Sequence, residues 1–365
     1  MIFSIGAIPS AYYIMHPKLL KKNKMAKRIK GNTVKWGILG VGDVCEVKSA
    51  PAMQVIENTE LVAVMRRNGA KAKDYAERHH VPRWYDDADQ LINDPEVNAI
   101  YIATPPNAHE ELTIKAAEAG KPVYVEKPMA RSYAECQSMI AACEQAQVPL
   151  YTAYYRRMLP NFLKLKNLVR SGIIGEIRLV KIDLYKTKDP DIISKTVATM
   201  PSNWRIDPEI AGGGYFFDLA AHQLDYLDYV FGPIQQVHGF AGNQAGLYQA
   251  ADIVTSAFTF ENGVQGIGSW CFTVDEKATR DEMIIIGSEG QLRISFFGVP
   301  EIILEKSGME KPRTFRFELP KHIQEPLIQT VVDDLLGKGS CPSTGVSAAR
   351  TNWVMEEITK HYYSA

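Results

Sequence analysis

Three side chains in this sequence have the types and spacing to move a proton and steady a charge on oxygen. They are Lys127, in Glu126-Lys127-Pro128, and the pair Asp218-x-x-x-His222, in a segment introduced by Gly212-Gly213-Gly214. A lysine ammonium at the end of a strand can face a substrate oxygen on which charge grows during hydride transfer. A histidine can exchange a hydroxyl proton near neutral pH. A carboxylate four residues before it shares its helical face, where it can orient the ring or hold a neighbouring hydroxyl. Pro128 suits a cis bond that aims Lys127. Taken singly, each also has a plain reading: a solvated lysine, a hydrogen-bonded structural histidine. No third ligand at metal spacing accompanies the Asp/His pair, so no metal is expected.

Hydride transfer needs a carrier, and an earlier segment offers a place for one. Val34-Lys35-Trp36-Gly37-Ile38-Leu39-Gly40-Val41-Gly42-Asp43-Val44-Cys45 reads as a strand, a tight glycine turn and a helix start. Gly40 permits the turn, and Gly42 leaves room for a pyrophosphate. The N–H groups from Asp43 and Val44 onward then face the anion. The third glycine of the dinucleotide pattern is replaced by Cys45, at a position that sets helix–strand packing. Two more loops follow strands where such a fold places its ligand: Thr104-Pro105-Pro106-Asn107 and Glu126-Lys127-Pro128. His109 reads as a helix-start residue. Trp204-Arg205 adds an aromatic ring and a planar cation suited to phosphate, carboxylate or amide oxygens.

These loops require particular elements to position them. From Val34 to Tyr154, strands are expected at Val34–Leu39, Leu61–Met65, Ala99–Ala103, Pro122–Val125 and Pro149–Ala153. Helices are expected between them at Asp43–Ile56, Ala70–His79, Ala108–Ala119 and Tyr133–Ala146. That alternation implies parallel βαβ units. After a helix at Pro160–Ser171 the pattern turns to alternating strands, from Ile177–Tyr185 to Arg313–Glu318, joined by turns such as Glu261-Asn262-Gly263. These predict a large open, mostly antiparallel sheet, interrupted by a helix over Ala211–Phe231. Helices over His322–Leu336 and Val346–Tyr362 close the chain. The fold class is therefore α/β, a Rossmann dinucleotide-binding unit plus an α/β unit. The expected divisions are 1–30 (a disordered extension), 31–154 (nucleotide), 155–320 (substrate and oligomerisation) and 321–365 (closing helices).

Composition narrows the function classes. The chain of 365 residues is 46% hydrophobic and 23% charged with net charge −1, which argues against nucleic acid as a partner. Five scattered cysteines without metal spacing suit a reducing compartment, and a cytoplasmic location is expected. Residues 1–15 are mostly apolar and 18–30 densely basic, the reverse of a secretory signal, and the apolar run is too short to span a bilayer. Met25 would give a compact start just before the first strand.

The glycine loop, Thr-Pro-Pro-Asn, Glu-Lys-Pro, Trp-Arg, Gly-Gly-Gly and Asp-x-x-x-His, in this order, resemble the Gfo/Idh/MocA oxidoreductases over about residues 33 to 363. Pro342-Ser343-Thr344-Gly345 belongs to the same pattern. The resemblance implies NAD(P)-dependent redox chemistry on a sugar, polyol or related hydroxy/keto compound. It also implies that Lys127 is a catalytic lysine, His222 a proton-transferring histidine and Asp218 a substrate-binding carboxylate. Thr104, Pro105, Asn107, Glu126, Lys127, Trp204 and Arg205 fall on the cofactor side. Tyr155 and Arg156 fall on the substrate side, with Tyr154, Arg157 and His322 as further loop candidates. Cys45 and the N-terminal extension are departures from the family's pattern.

Cofactor choice is legible in the second strand. It ends Met65-Arg66-Arg67-Asn68, with no acid to accept from a ribose 2′-hydroxyl, and Glu60 lies at the strand's other end. Arg66 and Arg67, with Lys71 one turn on, suit a 2′-phosphate, so NADP is expected in preference to NAD. The open sheet predicts a homodimer or homotetramer. Two other readings of the same residues are an NAD-assisted glycosidase and a non-catalytic nucleotide or sugar sensor.

Overall fold

The structure is a computed structural model that describes Ile29, residues 31–188 and residues 204–363. The extension expected over 1–30 lies outside the described residues except for Ile29, whose N–H donates to Leu335 O at 3.3 Å.

The first sheet is parallel. Its strands are β1 (Val34–Leu39), β2 (Thr59–Met65), β3 (Arg83–Tyr85), β4 (Ala99–Ile102), β5 (Val123–Val125) and β6 (Leu150–Thr152), in the order β3-β2-β1-β4-β5-β6. Its helices are α1 (Asp43–Val47), α2 (Ala50–Val55), α3 (Gly69–Arg78), α4 (Ala88–Ile92), α5 (His109–Glu118) and α6 (Tyr133–Ala146). The strand order reverses between β1 and β4, and a doubly wound sheet holds its ligand at that reversal. Apolar side chains on both faces bury the central strands, as parallel sheets require: Trp36, Ile38, Leu39, Ile100, Tyr101 and Tyr124 are all in the core.

The single helix expected over Asp43–Ile56 is two. α1 ends at Val47, and Pro51 sits in the first turn of α2, where its missing N–H costs nothing but where it cannot continue an incoming helix. β3 and α4 were not anticipated. Each is short, and β3 is an edge strand held by one neighbour.

α7 (Pro160–Arg170) leads into the second sheet. Its strands are β7 (Ile177–Thr187), β8 (Ile234–Gly242), β9 (Ile253–Phe260), β10 (Gln265–Val274), β11 (Arg280–Gly287), β12 (Gly290–Ile294), β13 (Glu301–Lys306) and β14 (Arg313–Arg316). The order is β14-β13-β12-β11-β7-β10-β9-β8. β7 and β10 pair in parallel and the other neighbours are antiparallel. Burial alternates along β9 and β10, so one face packs inward and the other is open.

The helix expected over Ala211–Phe231 is also interrupted. A short α8 (Pro208–Ala211) stops at the glycines, a π-helical turn covers Phe216–Ala220, and α9 (Ala221–Phe231) follows. Gly214 has φ +67°, and a Cβ there would lie 2.4 Å from Ala250 Cβ, so the chain can only turn here through glycine. π turns recur at functional sites because the extra residue redirects side chains, and this one carries Asp218. Finally α10 (Glu325–Leu335) packs Leu327, Ile328, Val331 and Val332 into the core of the first sheet. α11 (Gly345–Tyr363) packs against α6 and β8, so it joins the two sheets.

Candidate active site

The glycine loop leaves β1 between β2 and β4. Gly40 has φ +91°, and a Cβ there would stand 2.7 Å from Thr104 Cγ2, so only glycine lets this loop press against the loop after β4. Gly42 is extended, and a Cβ built on it would meet nothing within 4 Å. Exposed Asp43 and half-buried Val44 open α1 from that bare edge. Cys45 beneath them is fully buried, and burial pushes its thiol up to about 12, so it packs and does not react. Tyr75 Oη donates to Cys45 O at 2.8 Å and ties α3 to α1.

Arg66 Nη1 donates to Val41 O at 3.2 Å, which brings this guanidinium onto the glycine loop, while Arg67 and Lys71 are exposed. In the facing loop Thr104 Oγ1 is buried without a partner among the described residues. Pro105 precedes a short 3₁₀ turn over Pro106–Ala108 that leaves Asn107 exposed. A bare glycine edge, N–H groups at a helix start and an orphaned hydroxyl at the sheet's reversal point fit a dinucleotide.

Lys127 follows β5, and the Lys127–Pro128 bond is cis. Its Nζ donates to Asp218 Oδ1 at 2.5 Å and to Asp218 O at 3.0 Å. Arg205 Nε donates to Asp218 Oδ2 at 3.1 Å, and its guanidinium lies 4.5 Å from the Trp204 ring. Burial alone would raise the Asp218 carboxyl, but the charges of Lys127 and Arg205 outweigh it and hold the group below its ordinary value. Asp218 is therefore an anion between two cations. An ammonium has three protons, and two of Lys127's point at Asp218, which leaves one for another oxygen. Arg205, expected on the cofactor side, is engaged here with the carboxylate.

His222 lies one turn further, on α9. Asp218 does not orient it, since the hydrogen bonds of that carboxylate go to Lys127 and Arg205. The ring stands edge-on to Tyr155 (5.2 Å), Phe297 (6.1 Å) and Tyr154 (6.2 Å), and Nδ1 is buried without a partner among the described residues. Burial, then the positive charges of Arg156, Lys127 and Lys48, push it well below the usual histidine value. At neutral pH the imidazole is uncharged and can accept a proton.

Of the supporting residues, Tyr101, Gln324 and Phe297 were not anticipated, whereas Glu126 was expected on the cofactor side. Glu126, a strand-end carboxylate, is buried and accepts from Tyr101 Oη and Gln324 Nε2, both at 2.7 Å, and Tyr124 Oη donates to Gln324 Oε1 at 3.0 Å. Gln324 lies almost 200 residues away just before α10, and no local spacing announces it. His109 does more than start α5. Its ring is fully buried, with Nε2 2.8 Å from Thr104 O and Nδ1 3.1 Å from Met129 O, so it links the two loops that follow β4 and β5. Phe297, which helps wall His222, comes from the loop after β12. The three further loop candidates are each engaged with the protein. Tyr154 is fully buried, Arg157 is committed to Asp225, and His322 Nδ1 is 3.1 Å from Val47 O at the end of α1.

Comparison with known proteins decides the family. Residues 34–154 match the sequence model of an oxidoreductase family with an NAD-binding Rossmann fold, and residues 162–293 match the GFO/IDH/MocA C-terminal domain. The chain belongs to the Gfo/Idh/MocA oxidoreductase family. Among its relatives is oxidoreductase P35 from Formosa agariphila, 38% identical over 88% of this chain and 97% of that one. Another is myo-inositol 2-dehydrogenase from Thermotoga maritima, 28% identical over 63% of this chain and 66% of the other. Levoglucosan dehydrogenase in complex with NADH shares the fold, with a TM-score of 0.79 at 20% identity over 91% of this chain and 97% of that one. For a Gfo/Idh/MocA enzyme, the Rossmann sheet and the mostly antiparallel sheet are the expected pair, and this chain has both. Among the described residues no helix is long and apolar enough to cross a membrane.

Proposed function

We propose that this enzyme transfers hydride between a nicotinamide dinucleotide and a hydroxyl- or carbonyl-bearing carbon of a sugar, polyol or related compound. One observation carries the reading: a charged Lys127–Asp218 pair lies beside a neutral His222 whose Nδ1 has no partner among the described residues, next to the reversal point of a Rossmann sheet. The dinucleotide, when bound, supplies the carbon that accepts or donates hydride. Gly40, Gly42 and the N–H groups of Asp43 and Val44 cradle its phosphates, with Thr104, Pro105 and Asn107 facing them.

His222 accepts the hydroxyl proton as the alcohol is oxidised and returns it on reduction. Lys127 directs its remaining N–H to the substrate oxygen and offsets the charge that builds there. Asp218 binds a neighbouring hydroxyl, and Arg205 with Trp204 holds that carboxylate in place. Tyr155 and Arg156 contact the substrate. The names of the inositol and levoglucosan enzymes support the polyol and sugar class.

NADP is the preferred cofactor. Support comes from the absence of an acidic residue at the end of β2 and from the guanidinium of Arg66 on the glycine loop, with Arg67 and Lys71 exposed nearby. The open face of the second sheet exposes Phe240 (82%) and Ile267 (39%), which supports pairing with a second copy as a homodimer or homotetramer. Unpaired cysteines throughout suit a reducing, cytoplasmic setting.

The test is an absorbance screen of hexoses, pentoses, inositols and sugar acids with NADP⁺ and NAD⁺. Cofactor reduction with at least one of these, and a lower KM for NADP⁺, is expected. No reduction with any of them, nor cofactor oxidation with the matching ketones, would contradict the reading.

A further inference from the structure

Arg156 and Arg157 are adjacent and both buried, at 7% and 1% exposure, yet their charges are treated differently. Arg157 meets Asp225 through two parallel bonds, Nε to Oδ2 at 2.9 Å and Nη2 to Oδ1 at 2.5 Å. The acceptors of Arg156 are both neutral: Phe296 O from Nε at 3.2 Å and Tyr155 Oη from Nη1 at 2.9 Å. Among the described residues no carboxylate lies within ion-pair distance of it, and no hydrogen bond uses Nη2. A buried guanidinium whose acceptors are all neutral lacks the counter-charge that Arg157 has in Asp225.

The place of this cation matters. Its guanidinium lies over the Tyr155 ring at 4.9 Å and the Phe297 ring at 4.6 Å, the same two rings that flank His222. The stacking fixes the plane of the fork, whose Nη2 makes no hydrogen bond among the described residues. Lys127 and Arg205 both pair with the Asp218 carboxylate, so that anion is already engaged. Arg156 adds a positive charge to the surroundings of His222 for which no carboxylate among the described residues is the partner.

We infer that the substrate of this site carries a carboxylate, which pairs with Arg156 while a hydroxyl of the same molecule faces His222 and Lys127. Sugar acids, whether uronates or aldonates, are the class with both groups in one small molecule. A carboxylate matches the guanidinium fork in shape and charge, and the aromatic walls keep water from screening the pair. The alternative is that Arg156 only staples the loop at Phe296 to the 3₁₀ turn that carries it. In that case the charge of the substrate is immaterial. The inference rests on the redox reading for its reacting hydroxyl but can be tested apart from it.

The experiment measures equilibrium binding to the full chain saturated with NADP⁺, at fixed ionic strength, for matched pairs: D-glucuronate against D-glucose, D-galacturonate against D-galactose and D-gluconate against D-glucitol. The acid of at least one pair is expected to bind tenfold or more tightly than its neutral partner. Arg156→Gln should erase that difference, and Arg156→Lys should keep part of it. Acids that bind no better than their neutral partners, or that do not bind at all, would overturn the inference, as would an Arg156→Gln protein that keeps the preference. If Arg156→Gln does not fold, the wild-type pairs decide. Cofactor reduction is recorded in the same samples. A clear acid preference without turnover would count against the redox chemistry and leave the anion site standing.

Discussion

Two ion pairs of equal length do opposite jobs in this molecule. Arg157–Asp225 closes at 2.5 Å with side chains 1% and 2% exposed, and it is surrounded by further partners. Arg157 Nη1 also reaches Ser347 Oγ at 2.9 Å, and Thr351 Oγ1 donates to Asp225 Oδ1 at 3.4 Å. These partners, with Pro342 O in the loop before α11, come from segments that must dock onto the turn after β6: Asp225 from α9, Ser347 and Thr351 from α11. Lys127–Asp218 also closes at 2.5 Å, but its side chains are 15% and 14% exposed, one ammonium proton is left over, and beside it stands His222, whose Nδ1 has no partner among the described residues. Closure of every polar group marks a structural knot. Unfilled valence around a charged pair marks a site, since that is where a ligand would supply the missing partners.

Removing one partner from each pair should therefore give opposite results. Arg157→Ala is expected to cost about 3–5 kcal/mol of stability, because it strands Asp225 in the core. Denaturant unfolding checks this, and the distinction collapses if Lys127→Ala costs as much. His222→Gln, which keeps most of the side-chain volume, should cost far less stability than Arg157→Ala while lowering kcat about 10²–10⁴-fold, the usual range for a positioned acid–base group. Steady-state rates at saturating cofactor measure it.

A smaller effect is expected on the nucleotide side. Arg66→Ala should raise the KM for NADP⁺ about tenfold, in line with loss of one charge-assisted hydrogen bond, and leave that for NAD⁺ within about twofold. Equal shifts for both cofactors would mean that Arg66 only braces Val41. The mildest signature is in pH. Because burial and neighbouring cations depress His222, the imidazole loses its proton at a lower pH than the usual 6.5, and the acidic limb of kcat/KM for alcohol oxidation should fall below that value. The folded state then binds fewer protons than the unfolded chain below 6.5, so stability should fall as pH drops through that window. His109, also depressed by burial, adds to the same trend. A limb above 6.5 would place a different base in the site.

Where local patterning is self-sufficient the sequence was an accurate guide. Val34–Leu39, Tyr133–Ala146 and Ile253–Phe260 have the expected ends, because apolar periodicity and flanking turn residues agree there. It misled over Asp43–Ile56, although Ser49-Ala50-Pro51 is a legible helix restart, and over Ala211–Phe231, where a π turn leaves no periodic trace. The parallel pairing of β7 with β10 could not be read either, since it depends on a crossover and not on either strand alone. Lys127, Asp218 and His222 were legible as types. Their pairing was not: the carboxylate meets the lysine 91 residues away and not the histidine four residues on. Arg156 and Arg157 look identical as letters, and only the position of Asp225 separates them.

The most direct test is Lys127→Met, which removes the charge and keeps the side-chain length. Its dissociation constant for NADPH, read by fluorescence, should stay within about twofold of wild type, while kcat falls about 100-fold or more as a fixed cation is lost from the developing oxyanion. A variant that turns over at close to the wild-type rate with cofactor bound would contradict the assignment of Lys127, and with it the reading of the Lys127–Asp218–His222 cluster as the place where chemistry occurs.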